Sequence, residues 1–350
     1  EKFIFKNNEG ISCTSFWEAP SNIALIKYWG KKGNQIPSNP SISFLLSKCF
    51  TRTKINFSPI NSKKDPWFTF KLDGKIKLDF YKKIETFLEN ILPYVPSLKM
   101  HNLMIDSSNS FPHSSGIASS ASSMAAIALC ITDWERQINS EMTEETFKIK
   151  ASFLARLGSG SASRSIYGPI ASWGKTSHLK ESSDRYAIPF KQKIDKIFDG
   201  FCNTIIIIDE AKKEISSTEG HRLMNDHPFA KKRFYQANKN FFEIKNSLAT
   251  GDIEKFIQIV ESEALTLHAL MMTSSPPYKL FKPETIEIIE LITKKASPAP
   301  KVSIGFFINA GENIIFLLVN VYDPFFPNVI EPDLNLIFFF NLLNNSLVFE

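Results

Sequence analysis

Residues 111–130, FPHSSGIASSASSMAAIALC, switch abruptly from a serine- and glycine-rich cluster to a run of small apolar residues. That switch restricts the fold more than any other stretch. The apolar run predicts a helix over 118–134 that packs closely on its neighbours, with the hydroxyl cluster at its start. A helix N-terminus carries unpaired N–H groups and about half a positive charge. Gly116 would let the backbone approach a ligand, and Ser119, Ser120 and Ser122 add hydroxyls, so the cluster reads as an anion cradle. Serine is also an ordinary helix cap, and that reading alone would account for the stretch. It is neither a Walker A loop nor a GxGxxG turn.

Three further stretches have the same character. Residues 155–165, ARLGSGSASRS, end a predicted helix at Gly158 and continue through Ser159, Gly160, Ser161, Ala162 and Ser163 to Arg164. Such a turn can form a nest of N–H groups, and arginine supplies a planar fork for carboxylate or phosphate. Its plain alternative, a flexible linker, is weakened by the apolar segment that follows. In SSTEGH, 216–221, Ser216 and Glu219 form a capping-box pattern, with Ser217 and Thr218 beside them at a helix start. In KYWGK, 27–31, Lys27 and Lys31 bracket Tyr28, Trp29 and a turn at Gly30. A lone lysine pair is surface by default, but several anion-friendly turns in one chain point to a substrate with several phosphates.

The chain has 350 residues, 43% hydrophobic and 22% charged, with a formal charge of +5. At about 150 residues per domain, two domains are expected. The charge is mild and dispersed, which argues against nucleic acid and suits a small anion. Four cysteines without a CxxC unit and six histidines without paired spacing predict free thiols rather than a disulfide framework or a zinc site. No apolar run reaches the ~18 residues that span a bilayer, and the first residues lack a signal-peptide core, so a cytoplasmic protein away from membranes is expected.

Strands are predicted at 21–29, 50–57, 67–72 and, as the β-branched run TIIIID, at 204–209. Helices are predicted at 79–92, where Phe80, Ile84, Phe87, Leu88 and Ile91 form a stripe, and at 143–157, 219–249, 252–271 and 283–295. Strands at 302–308 and 314–321 follow. A polar stretch near 180–200 places the boundary, giving lobes 1–195 and 196–350. After Lys301 there is no Lys, Arg or His, and that tail reads either as a drifted end or as a buried final helix and strand.

Together, APSNIALIKYWGK (19–31), NPSISFLLS (39–47), FPHSSGIASSAS (111–122), ARLGSGSASRS (155–165), SSTEGH (216–221) and LHALMMTSSPPY (267–278) resemble mevalonate diphosphate decarboxylase, of the GHMP kinase superfamily. The likeness runs from about residue 15 to 313, and the pairing of KYWGK with GSGSASR is its most specific part. It implies an α+β, two-lobed GHMP kinase fold, an N-terminal S5-domain-2-like lobe and a C-terminal ferredoxin-like lobe, usually as a homodimer. It implies ATP-dependent decarboxylation of mevalonate 5-diphosphate to isopentenyl diphosphate, with Mg2+ accompanying ATP. Carried over by position, Gly116, Ser119, Ser120 and Ser122 would hold the ATP phosphates, Ser120 nearest the transferring group. Tyr28, Trp29, Gly30 and Lys31 would line the substrate diphosphate, and Asn22 would orient the substrate. Ser159, Gly160, Ser161, Ala162 and Ser163 would wrap it, Arg164 would grip its carboxylate, and Lys27 would stabilise the phosphoryl group in flight. Ser217 and Thr218 would contact phosphate or metal. The likeness assigns no metal ligand.

One position departs from the family. A DAGPN-like turn near the end of the family pattern carries an aspartate facing the reacting hydroxyl. Here the turn is INAGEN, 308–313, and Asn309 stands at the aspartate position. An amide can orient a hydroxyl but cannot accept its proton. Three readings follow: a decarboxylase with lowered turnover, one in which Glu312 supplies the carboxylate, and a non-catalytic binder of nucleotide or substrate. A relative acting on a different mevalonate phosphate is a further alternative, against which KYWGK and GSGSASR both argue.

Overall fold

Half-buried strands alternate apolar and polar residues, and the longest strands of this chain do so over part of their length. The computed structural model describes residues 4, 11–62, 66–111, 119–199, 201–207, 217–296, 304–308, 314–320 and 337–342. Strand β1, Cys13–Ile26, runs antiparallel to β4, Ser41–Pro59, with a short hairpin of β2, Lys31–Lys32, and β3, Ile36–Pro37, between them. From Thr51 to Phe57 every second residue of β4 is buried, whereas Ser41–Leu46 is buried throughout. The uninterrupted burial marks where both faces of the sheet are covered.

The sheet continues through β5, Phe68–Leu72, and β6, Lys75–Ile76. Helix α1, Leu78–Ile91, follows, then β7, His101–Asn109. The predicted stripe of α1 is buried at Ile84, Phe87, Leu88 and Ile91. Next come α2, Ser119–Ile138, and α3, Glu144–Gly158, whose Thr143 side chain accepts from the Thr146 N–H at 3.2 Å as its cap. A 3₁₀ turn over Gly160–Ile166 leads into β8, Ile170–Trp173, and β9, Ile188–Pro189. Strand order is β6-β5-β7-β4-β8-β9, with β1 also paired to β4. Every pairing is antiparallel except the parallel β5–β7 pair.

The second sheet is built on β10, Phe201–Ile207. After it come α4, Ser217–Arg222, α5, Ala230–Thr250, α6, Ile253–Met272, and α7, Pro283–Ala296. Strands β11, Ile304–Ile308, β12, Ile314–Asn320, and β13, Ile337–Leu342, complete the order β11-β12-β10-β13. The tail without basic residues thus contributes a strand, β13, that pairs antiparallel with β10. The single helix expected over 219–249 is two. Proline at 228 lacks an N–H and disfavours helix in the residue before it. His227 fills the gap, accepting from the Phe229 N–H through Nδ1 at 3.1 Å and meeting the Leu270 carbonyl through Nε2 at 2.9 Å.

Two cores result. One packs α1, α2 and α3 on the first sheet, around Phe57, Phe87, Trp134 and Phe147. The other sets Ile23, Leu25, Ile26, Ile42 and Phe44 from β1 and β4 against Phe241, Phe256 and Val260 from α5 and α6. Elements on either side of the expected boundary therefore share buried surface. Cys13, Cys49 and Cys130 are free thiols. Among the described residues no helix is long and apolar enough to cross a membrane.

Candidate functional site

Strand β1 ends at Ile26, and the chain leaves the sheet as Lys27, Tyr28, Trp29 and Gly30. A chain leaving a sheet must find new partners for its backbone groups. The Lys27 N–H donates to Glu263 Oε2 at 2.8 Å, and its carbonyl accepts from Asn39 Nδ2 at 3.0 Å and Arg233 Nη2 at 3.1 Å. The Gly30 N–H donates to His221 Nδ1 at 3.0 Å. Gly30 has φ +92, and a Cβ there would stand 2.9 Å from the Phe234 ring, so glycine is required twice over. Tyr28 lies against Trp173 and His221, with ring centroids 4.7 and 4.3 Å away, and the Trp29 ring lies 4.6 Å from His221. His221, held low to about 3 first by burial and then by Lys31, is a neutral imidazole and accepts through Nδ1.

The turn after α3 meets this segment. A Cβ on Gly160 would fall 2.9 Å from both Tyr28 and Trp173. Asn22, on β1, donates through Nδ2 to the Ser161 carbonyl at 3.1 Å and to Ser165 Oγ at 2.8 Å. Its Oδ1 accepts from Arg164 Nε at 3.3 Å, and Arg164 Nη1 donates to Ser41 Oγ at 2.5 Å. Arg164 is 2% exposed, and both of these partners are neutral. Among the described residues no carboxylate pairs with it. Burial lowers it to about 10, so it stays charged at neutral pH.

Lys27 is 3% exposed. Burial is the main force lowering its ammonium to about 7; Glu263 opposes that shift, and Arg164 and Arg233 add to it. Lys31, in the β2–β3 hairpin, is half-buried and donates through Nζ to Gln35 Oε1 at 3.2 Å. The start of α2 joins the cluster through Ser122. This hydroxyl is bonded to Ser21 Oγ at 3.3 Å, to Thr51 Oγ1 at 2.7 Å and to the Ser119 carbonyl at 3.2 Å.

The expected residues therefore fall into groups. Asn22, Lys27, Tyr28, Trp29, Gly30, Gly160, Ser161 and Arg164 form one contiguous set, and Ser119 and Ser120 open α2 half-buried beside it. Ser159 and Ser161 keep half-exposed hydroxyls, 3.5 Å apart. Three expected contacts face inward instead. Ser122 is fully enclosed, Ala162 sits in the first core, and Ser163 Oγ donates to the Gly160 carbonyl at 2.8 Å. Ser217 and Thr218 are exposed at the start of α4, one turn from His221. Gly116, Ser216, Asn309 and Glu312 lie outside the described residues. The sequence reading missed His221, Trp173, Ser41, Asn39, Arg233 and Glu263. His221 closes the SSTEGH motif; Arg233 and Glu263 are charges on the buried stripes of α5 and α6.

Over residues 19–187 the chain matches the family model described as diphosphomevalonate decarboxylase-like N-terminal domain. Over 203–331 it matches the mevalonate 5-diphosphate decarboxylase C-terminal domain. It is 28% identical over 316 residues to a diphosphomevalonate decarboxylase of Debaryomyces hansenii, covering 86% of this chain and 78% of that protein. A Candida albicans protein of the same name is 28% identical over 309 residues, 85% and 82% of the two chains. The mevalonate diphosphate decarboxylase structure from Staphylococcus aureus superposes with a TM-score of 0.78 at 26% identity, over 95% of this chain and 96% of that one. The fold is also that of MDDEF in complex with MVAPP, AMPPCP and magnesium, with a TM-score of 0.80 at 24% identity, over 95% and 98% of the chains.

Proposed function

The chain belongs to the diphosphomevalonate decarboxylase family, and from that premise we propose that this cleft runs the family reaction in a GHMP kinase fold. ATP phosphorylates the tertiary hydroxyl of mevalonate 5-diphosphate; the new phosphate then leaves as CO2 departs, giving isopentenyl diphosphate, ADP and phosphate. The observation that carries the reading is Arg164, a buried guanidinium with only neutral protein partners among the described residues. A cation so placed costs free energy until an anion arrives. Its planar fork matches the substrate carboxylate.

Phosphoryl transfer needs positioning and charge neutralisation more than covalent help. Asn22 and the Ser159–Ser161 turn orient the substrate, Tyr28 to Lys31 line its diphosphate, and Lys27 faces the group in flight. Ser119 and Ser120 offer hydroxyls to the ATP phosphates, with Ser217 and Thr218 as further contacts. Magnesium keeps several waters and takes phosphate oxygens with only one or two protein ligands; the Ser119 and Ser120 hydroxyls are oxygen donors of that kind. When bound, it neutralises charge on the transferring phosphoryl. The lobes 1–195 and 196–350 would close on this cleft, in a homodimer working in the cytoplasm, which light scattering and cell fractionation test.

CO2 and ADP release from mevalonate 5-diphosphate with MgATP test the reading. ADP should form only when that substrate is present, and calorimetry should show it binding. If neither occurs, the reading is wrong. Lys27 adds a pH signature. A lysine acts on phosphate as its ammonium, so kcat/KM, which reports the free enzyme, should fall as pH rises through about 7. Bound phosphates favour the ammonium, so the same limb in kcat should lie about 1–3 units higher. Coincident limbs in the two profiles would remove Lys27 from the phosphate site.

A further inference from the structure

Lys27 is held by its backbone from α5 and α6. Arg233, on α5, and Glu263, on α6, form a two-pronged ion pair, Nη1 to Oε1 at 2.7 Å and Nη2 to Oε2 at 2.6 Å. Both side chains are essentially sealed from solvent, at 1% and 0%. The pair also closes on one residue. Glu263 Oε2 accepts the Lys27 N–H, and Arg233 Nη2 donates to the Lys27 carbonyl. Asn240 Nδ2 fixes the other carboxylate oxygen at 2.7 Å.

A buried ion pair is weak evidence for stability, because desolvation offsets the attraction. Two orphan backbone groups at the end of a strand could be satisfied by neutral side chains at less cost. The arrangement does something neutral groups would not. It sets one carboxylate beside a buried ammonium that already faces Arg164 and Arg233. Burial tends to push Glu263 up, but Arg233 and the bonds from Lys27 and Asn240 hold it below its ordinary range, so it is charged. His268, also on α6, faces Lys27 as well; burial first, then Lys27, keeps it neutral.

We propose that Arg233 and Glu263 are positioning residues of the reaction, clamping the Lys27 peptide from α5 and α6 so that its ammonium is both placed and kept charged at the phosphoryl-transfer site. The role rests on the decarboxylase reading for what Lys27 does, but the clamp itself is independent of turnover. It makes the C-terminal helices part of the machinery that aims an N-terminal lysine.

The test compares the parent protein with Glu263→Gln and with the charge-balanced double variant Arg233→Gln, Glu263→Gln. Lysine labelled with 13C at Cε is titrated by NMR in the unliganded protein, with the Lys27 signal assigned by Lys27→Met. Glu263 acts on Lys27 more strongly than Arg233 does, so the Lys27 midpoint should fall by about one unit in Glu263→Gln and by less in the double variant, where loss of Arg233 offsets part of the change. At pH 8, kcat/KM, which reports the free enzyme, should drop about tenfold in Glu263→Gln relative to parent, and the loss should shrink toward pH 6. Lowered melting temperature with an unmoved Lys27 midpoint would overturn the proposal and leave the pair a structural tie. Should Glu263→Gln fail to fold, the double variant, which leaves no unpaired charge, carries the test. An inactive parent would count against the decarboxylase reading, whereas the titration still decides the clamp.

Discussion

Arg164→Ala is expected to lower kcat/KM for mevalonate 5-diphosphate by about 10²–10³, within the cost of truncating one member of a buried charge pair. The loss should appear in both constants, KM rising and kcat falling. On the proposed reading, the fork would bind the carboxylate in the ground state and also fix the carbon that must be aligned when phosphate leaves. Arg164→Lys keeps the charge and loses the fork, so it should fall between. Stability should move the other way. Arg164 is enclosed, and among the described residues its hydrogen-bond partners are the neutral Asn22 and Ser41, with the Trp173 ring 5.8 Å away. Deleting it removes a desolvated cation that has no carboxylate partner among the described residues. The melting temperature of the free protein should therefore hold or rise while activity collapses. Unchanged kinetics would take Arg164 out of the site.

Much of this cluster was legible because the turns that build it rest on local chemistry. A glycine-rich turn after a helix and a hydroxyl cluster before one are readable over ten residues, and KYWGK and GSGSASR are distinctive as pairs. The inward turn of Ser122, Ala162 and Ser163 was not legible. Those turns alternate exposed and core-facing side chains, and only the packing of Ser122 on Thr51 or Ala162 in the first core decides which is which. The clamp was invisible for a related reason. Arg233 and Glu263 are thirty positions apart on different helices, and their partner is a backbone group 206 or more positions away. One trace was present: Glu263 interrupts the buried series Phe256, Ile259, Val260, Ala264, Leu267 on α6, and Arg233 lies between Ala230 and Ala237 on α5. A charge on an apolar stripe needs a partner. In the fold, β7 was missed although its buried positions alternate, because its sequence, HNLMIDSSN, is rich in residues that favour turns.

Asn309→Asp is expected to raise kcat by about 10²–10⁴, the usual worth of a general base. Asparagine and aspartate have nearly the same shape, so either can hold the tertiary hydroxyl in line with the γ-phosphate. Only the carboxylate can take its proton as the new P–O bond forms. On this reading the change acts on phosphorylation alone: KM and calorimetric affinity should change little, while ADP and CO2 release rise together, since the phosphate cannot leave before it is attached. A rise in ADP without CO2 would place the bottleneck at decarboxylation, where Arg164 and the departing phosphate act. Glu312 offers the internal alternative. If its carboxylate already serves from the same turn, Glu312→Gln should abolish the parent's turnover and Asn309→Asp should add little. If Glu312 is a bystander, Glu312→Gln leaves the parent rate alone and the full gain appears at 309. Measuring both variants with the Lys27 limb of kcat/KM as an internal reference separates the two, because a base restored at 309 adds an acid limb below neutrality without moving the alkaline one.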